Sequence, residues 1–197
     1  MSKQHVVIYV PGLGDYNFAL KVRKTVLSWW HFKNVSIVAC VMNWTVDEPW
    51  QKKFDRLLAL IDEHYSAGKI VSLIGESAGA TAVMLALNQR EDKLNLVIFL
   101  CGKSQFPERV AAERYRDNPA FKEALNRSHQ IVALLSEGQK AKLLNLHPLF
   151  DETVPVSETK IPDVKDVYMP ILGHAISILF ATTFWSWRIV HFIRKLK

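Results

Sequence analysis

Short apolar runs alternate along the chain with longer segments in which apolar residues recur at helical spacing. Four runs are rich in Val, Ile and Leu: His5–Val10, Val35–Met42, Ile70–Ile74 and Leu94–Cys101. Near-continuous apolar content is typical of strands that are buried on both faces of a parallel sheet. Two weaker runs, Lys140–His147 and Val164–Met169, are each followed by a proline and predict a fifth and a sixth strand.

The segments between these runs predict helices. Tyr16–Trp30 and Pro49–Ala67 carry apolar stripes, and a last helix is expected to start near Gly173. We therefore expect an α/β fold with a doubly wound, mostly parallel sheet of about six strands and helices on both faces. One domain should span residues 1–197. In such sheets, sites form at the carboxyl ends of the strands.

Composition narrows the possible functions. A chain of 197 residues, 49% of them apolar and 22% charged, suits a single domain with a sizeable core. The net charge of +6 is scattered, so a nucleic-acid partner is not expected. Cys40 and Cys101 each end an apolar run, which predicts packed free thiols rather than a disulfide. No Cys/His spacing resembles a metal site.

Both ends of the chain are informative about the cellular location of the protein. The sequence begins without the pattern of a signal peptide, from which we expect a cytoplasmic protein. Residues Ala175–Trp187 lack any charge for thirteen positions, and a basic tail follows them. This stretch is shorter than the roughly 20 residues of a membrane span. A helix packed on the sheet is favoured over a contact with a membrane surface.

The segment Gly75–Gly79 spells Gly-Glu-Ser-Ala-Gly between a predicted strand and a predicted helix. A G-x-S-x-G sequence in that setting is typical of a nucleophile elbow, a tight turn that exposes a serine hydroxyl above the sheet. A turn with close helix packing would explain the same residues. The chemical interpretation needs a base to take the proton of Ser77 and an acid to orient that base.

Suitable partners follow Ser77 in the chain. Asp151 comes after the fifth predicted strand and is the candidate acid, with Glu152, Asp163 and Asp166 as alternatives. His174 comes after the sixth and is the candidate base. His147, its one rival, lies inside the fifth predicted strand, where a packing role is favoured.

Hydrolysis of an ester also needs donors for a tetrahedral oxyanion. The N–H of Ala78, at the start of a helix, is one candidate. Leu13, in the Pro-Gly-Leu-Gly-Asp loop after the first strand, is the other. That loop lacks the third glycine and the Lys-Ser/Thr pair of a phosphate-binding turn.

Together these motifs resemble the α/β-hydrolase superfamily. The resemblance covers nearly the whole chain, in the order of the Pro-Gly-Leu-Gly-Asp loop, Gly-Glu-Ser-Ala-Gly, Asp-Glu-Thr-Val-Pro and Gly-His. It implies Ser77 as nucleophile, His174 as base, Asp151 as acid, and Leu13 and Ala78 as oxyanion donors, without a metal or other cofactor. We expect the opening hairpin of the family to be absent, and Gly102–Gly138 stands where members often insert a cap.

The resemblance implies a serine hydrolase that cleaves a carboxylic ester or thioester of a small acyl substrate. A peptidase or an acyltransferase could use the same three residues. A catalytically silent binding module with this fold is the remaining alternative, and the presence of all three side chains argues against it. Neither the substrate nor the oligomeric state follows from the sequence.

Overall fold

A computed structural model of the chain describes residues 4–14, 25, 28, 30 and 35–195. The predicted helix at Tyr16–Trp30 falls almost entirely outside them and stays a prediction. The described residues contain six strands: β1 His5–Val10, β2 Val35–Ala39, β3 Ile70–Glu76, β4 Leu94–Leu100, β5 Leu143–Phe150 and β6 Lys165–Leu172.

The six strands form one sheet in the order β2-β1-β3-β4-β5-β6, and every neighbouring pair is parallel. The order reverses at β1, which pairs with β2 on one side and with β3 on the other. At such a reversal the connections diverge to opposite faces of the sheet and leave a crevice at the carboxyl ends of the strands. The loops after β1 and β3 therefore meet where a site is expected.

Seven α-helices lie within the described residues: α1 Trp50–Ser66, α2 Gly79–Arg90, α3 Ala112–Asp117, α4 Pro119–Val132, α5 Glu137–Ala141, α6 His174–Thr182 and α7 Ser186–Lys195. Side chains along β1 alternate between two cores: Ile8 packs with α1, α2 and α4, and Val7 packs with α6 and α7. Each fully buried Leu, Ile or Val contributes roughly 1.5–3 kcal/mol. The predicted fold, with helices on both faces of a parallel sheet, is confirmed.

Strands β5 and β6 continue past the prolines at which the sequence pattern ended them, so those predicted ends were wrong. The register between β5 and β6 shifts just after Pro148, and β6 is an edge strand. Both are places where the missing N–H of a proline is tolerated. The start of β5 was also predicted too early, because α5 occupies Glu137–Ala141. The extra length carries β5 to the residue before Asp151.

The segment 102–138 divides into two parts. Its second part, α4, packs in the core of the fold through buried side chains that include Phe121 and Leu125. Its first part holds a 3₁₀ turn, Pro107–Arg109, and α3, in which no residue is buried. The first part packs on the core only through partly buried side chains, Val110 and Tyr115. The role of the whole segment as a cap stays a prediction.

The uncharged stretch at Ala175–Trp187 forms most of α6 and the start of α7. These two helices are bent by 66° relative to each other. Within residues 4–14 and 35–195, no single helix is both long and apolar enough to cross a membrane, although the bent pair together meets the criteria of length and composition.

Candidate active site

Ser77 lies between β3 and α2 in a left-handed backbone conformation, with φ of +50°. A residue with a side chain pays on the order of 1 kcal/mol for this conformation, so neighbouring contacts must hold it there. The Ser77 N–H donates to the carbonyl of Leu100 over 3.0 Å, and its carbonyl accepts from the N–H of Lys103 over 3.0 Å. The turn is therefore held from both sides by the strand next to β3 and the loop that follows it.

The two glycines of the motif allow β3 and α2 to approach closely. A Cβ at Gly75 would lie 2.5 Å from Cγ2 of Val83 and 2.7 Å from Cα of Ala80. A Cβ at Gly79 would collide with the backbone carbonyl of Val10. Side chains at these positions would force the helix away from the sheet, which explains why glycine stands on either side of the serine.

The structure brings Ser77, His174 and Asp151 into one chain of hydrogen bonds. His174 Nε2 lies 3.0 Å from Ser77 Oγ, and His174 Nδ1 lies 2.7 Å from Asp151 Oδ2. An ionised carboxylate can only accept, so Nδ1–H donates to Asp151. In the neutral ring Nε2 then carries the lone pair that can accept the proton of the Ser77 hydroxyl.

Backbone donors hold the carboxylate of Asp151 in place. Its second oxygen, Oδ1, accepts from the N–H of Thr153 over 2.8 Å and from the N–H of Val154 over 2.7 Å. The carboxylate is buried, and its three donors among the described residues are two backbone N–H groups and the imidazole of His174. Hydrogen bonds to a charged group are each worth about 1.5–3 kcal/mol, so the side chain has little freedom to rotate away from His174.

The alternative acids each have another partner. Both carboxylate oxygens of Glu152 accept from the backbone N–H of His174, each over 3.1 Å. Asp163 accepts from Lys140 over 3.1 Å. Glu152 therefore stabilises the first turn of α6, where a negative charge is favoured, and Asp151 is the acid in contact with the imidazole.

His147, the rival base, belongs to a separate buried group. Its Nε2 lies 2.6 Å from Asp166 Oδ1, and its Nδ1 lies 2.7 Å from Thr159 Oγ1. Burial lowers the pKa of the His147 imidazole, and the neighbouring carboxylate of Asp166 opposes this effect only in part. The ring lies inside β5, as the sequence predicts, and ties this strand to β6 and to the turn at Thr159.

A cavity of about 280 Å³ opens onto Ser77, and Leu13 and Ala78 line it. The loop that carries Leu13 packs against the turn that carries Ser77: a Cβ at Gly12 would lie 2.8 Å from the Cβ of Ser77. Trp44 Nε1 donates to the carbonyl of Pro11 over 3.2 Å and anchors the start of this loop. Both predicted oxyanion donors thus belong to residues in the wall that carries Ser77, and the role of their N–H groups stays a prediction.

Charged side chains also line the cavity, which sequence reasoning did not foresee in full. Lys103 Nζ donates to one carboxylate oxygen of Glu158, and Arg109 Nη1 donates to the other over 3.2 Å. Arg114 also lines the cavity. Neither Lys103 nor Glu158 was singled out from the sequence. Lys103 could have been found, because it follows the carboxyl end of β4, whereas no local pattern indicates Glu158.

A possible metal-binding group lies behind the imidazole. Ligand atoms of Cys101, Asp151 and His174 lie within 4.8 Å of one another. Burial, followed by the negative charges of Asp151 and Glu76, raises the pKa of the Cys101 thiol well above its ordinary range. A protonated thiol is a poor ligand, and Asp151 already has three donors, so these residues fit a metal ion poorly.

Comparison with known proteins gives a likeness in structure but not in sequence. No protein-family model matches the chain, and no curated protein matches it. The solved structure of Est1E from Butyrivibrio proteoclasticus superimposes with a TM-score of 0.63 at 16% identity, covering 98% of this chain and 88% of that one. The Paleococcus ferrophilus monoacylglycerol lipase gives 0.65 at 14% identity, with 98% and 95% covered.

A third structure, described as one of two metagenome-derived lipolytic enzymes, gives a TM-score of 0.68 at 12% identity, covering 98% of this chain and 94% of that one. At such low identity the likeness concerns the arrangement of the backbone, and it extends over almost the full length of the chain. The chain has the α/β-hydrolase fold.

Proposed function

We propose that the protein is a serine hydrolase that cleaves a carboxylic ester or thioester. The observation that carries the proposal is the hydrogen-bonded chain Ser77–His174–Asp151, which opens into a cavity beside Leu13 and Ala78. A serine is a weak nucleophile until a base accepts its proton, and this arrangement supplies the base and its orienting acid. The known enzymes with this fold that resemble the chain include esterases and lipases by their descriptions.

The reaction begins when Ser77 Oγ attacks the carbonyl carbon of the substrate and its proton passes to His174 Nε2. Asp151 stabilises the imidazolium that forms. The N–H groups of Leu13 and Ala78 donate to the oxyanion, and each such donor contributes about 3 kcal/mol to catalysis. His174 then returns the proton to the departing alcohol or thiol, which leaves an acyl group on Ser77.

A water molecule completes the cycle. His174 removes one proton from it, the resulting hydroxide equivalent attacks the acyl carbon, and the bond to Ser77 Oγ breaks. The proton returns to Ser77 and the carboxylic acid leaves. Every proton in both steps passes through one imidazole nitrogen, so no cofactor is required by the chemistry.

The size and lining of the cavity favour a small acyl substrate. A volume of about 280 Å³ lies just below the range of roughly 300–1,000 Å³ that is usual for small-molecule sites. Its lining combines apolar side chains such as Val110, Phe121 and Val154 with charged side chains such as Glu158. The segment 102–138 supplies part of that lining, in keeping with its proposed role as a cap.

Labelling with a fluorophosphonate probe tests the proposal. The wild type should form a covalent adduct on Ser77, Ser77→Ala should form none, and His174→Ala should react far more slowly. Thr159→Ala is the matched control, because it removes a hydroxyl that also contacts an imidazole but is buried away from the cavity. Folded wild-type protein that resists the probe would refute the proposal, and adducts that persist in Ser77→Ala would refute the assigned nucleophile.

A further inference from the structure

Large apolar side chains that are exposed to solvent are concentrated in one part of the molecule, at the end of β5, the end of β6 and the last two helices. Six of them define what we call the α6–α7 surface, and each is more than half exposed: Phe150, Leu172, Ile176, Leu179, Phe184 and Trp187. Phe184 is 81% exposed, at the bend between the two helices. Exposed apolar patches of this kind in a folded protein usually mark a site of interaction.

The strands and helices place several members of the surface near one another. Phe150 and Leu172 are partners across β5 and β6. Ile176 and Leu179 are three residues apart on α6, which places them on the same side of the helix. The surface therefore extends from the edge of the sheet along α6 to the bend before α7.

These side chains are not needed to complete the core. The inward sides of α6 and α7 already place Ile178, Ala181, Ile189 and Ile193 in the core on that face of the sheet. The sequence favoured a helix packed on the sheet over a membrane contact, and in the structure one side of each helix packs on the sheet. The solvent side of α6 is apolar at Ile176 and Leu179, whereas that of α7 combines Trp187 with basic residues.

The charge of this region indicates which partner would cover it. From Val167 to Lys197 the sequence contains no Asp or Glu, while Arg188, Arg194, Lys195 and Lys197 are basic. A second copy of the chain would bring the same positive charge onto the surface and be repelled. Anionic lipid head groups are complementary to it. Trp is favoured where apolar and aqueous phases meet, and Phe occurs with it on the apolar side of interfacial helices.

We propose that the α6–α7 surface docks the protein on an anionic phospholipid bilayer. Phe184 and Trp187 enter the boundary between head groups and acyl chains, and the basic residues of α7 contact the head groups. The binding is peripheral, as for an amphipathic helix that lies in the plane of the interface. Because Phe150 precedes Asp151 and Leu172 lies two residues before His174, the docked surface borders the candidate active site.

Cosedimentation with vesicles tests this proposal independently of any hydrolytic activity. The wild type should bind phosphatidylcholine vesicles that contain phosphatidylglycerol at low salt, bind pure phosphatidylcholine more weakly, and dissociate as salt is added. Phe184→Glu and Trp187→Glu should each reduce the partition coefficient about tenfold or more. Leu134→Glu is the matched control, because Leu134 is 77% exposed in the turn after α4, outside this surface.

Leu134→Glu carries the same change in charge as the two test variants and should bind nearly as well as the wild type. Phe184→Ser and Ile176→Ser remove apolar surface without adding charge, and circular dichroism checks that each variant is folded. The proposal is wrong if the wild type does not bind anionic vesicles at low salt, or if Leu134→Glu loses as much binding as Phe184→Glu. It is also wrong if the serine variants bind like the wild type, or if gel filtration shows a dimer that Phe184→Glu dissociates without any effect on vesicle binding.

Discussion

The protein contains two groups in which a hydroxyl, an imidazole and a carboxylate are joined by hydrogen bonds. One is Ser77–His174–Asp151, at the carboxyl ends of β3, β5 and β6. The other is Thr159–His147–Asp166, between β5, β6 and the turn that joins them. Distances within the two groups are similar, between 2.6 and 3.0 Å.

The surroundings of the two groups differ more than their hydrogen bonds. Ser77 sits on a strained turn that opens into a cavity, whereas Thr159 is buried. In the first group Nδ1 contacts the carboxylate and Nε2 the hydroxyl, and in the second the order is reversed. A chain of hydrogen bonds is therefore not enough to identify a nucleophile, because the hydroxyl also needs room for a substrate and donors for an oxyanion.

The largest expected difference in kcat is between variants in which the carboxylate of one group or the other is replaced by an amide. Asp151→Asn should lower kcat for hydrolysis of p-nitrophenyl acetate by about 10⁴-fold, because the amide no longer stabilises the imidazolium or the correct tautomer. Asp166→Asn should change kcat only a few-fold and instead lower the free energy of unfolding by about 1–2 kcal/mol, through its contact with His147.

Steady-state kinetics and urea denaturation of both variants measure these two effects. Near-normal turnover of Asp151→Asn would contradict the assigned acid and transfer the role to Glu152 or Asp163. A large loss of turnover in Asp166→Asn, with unchanged stability, would show that the second group takes part in catalysis.

A smaller effect is expected in the pH dependence of the free energy of unfolding. Because burial lowers the pKa of His147, the unfolded chain takes up a proton at about pH 6.5 that the folded protein does not. The free energy of unfolding should therefore fall as the pH drops below this value, with a slope of up to about 1.4 kcal/mol per pH unit for one proton.

Urea denaturation over a range of pH checks this prediction. His147→Gln should have a shallower slope than the wild type, since the titrating ring is gone. His191→Gln, which removes an exposed imidazole on α7, should keep the wild-type slope. Equal slopes in the wild type and His147→Gln would show that His147 titrates alike in the folded and unfolded chain.

The smallest effect is expected at Glu152, next to Asp151 in the chain. Glu152→Ala removes an acceptor of the His174 N–H at the start of α6 and should cost about 1 kcal/mol of stability. Its kcat should fall by no more than about tenfold, since His174 keeps its contact with Asp151. The same kinetic and urea measurements apply, with Glu152→Gln as the conservative control. A loss of kcat as large as that of Asp151→Asn would assign Glu152 the acid role.

Much of the fold was predictable from local pattern. A strand buried on both faces must be apolar along most of its length, so β1 and β4 are evident as runs of Val, Ile and Leu. The turn at Ser77 is equally local, because its glycines lie two residues from the serine in the chain. The order of Ser77, Asp151 and His174 could be predicted for the same reason, since each follows its own strand.

The ends of β5 and β6 could not be predicted in this way. Pro148 and Pro170 are normally signs that a strand has ended, and they are tolerated here only because one lies at a register shift and the other on an edge strand. The sequence favoured Asp151 and left Glu152 as an alternative, and the contacts of each with His174 separate the two.

The remaining features of the site are contacts between residues that are distant in the chain. Ser77 and His174 are 97 positions apart, and Lys103 and Glu158 are 55 apart. Contacts over such separations depend on how the helices and loops pack on the sheet, and no local periodicity encodes them. Apolar periodicity likewise predicts that a helix has a buried side, but packing alone shows which apolar side chains of α6 and α7 remain in solvent.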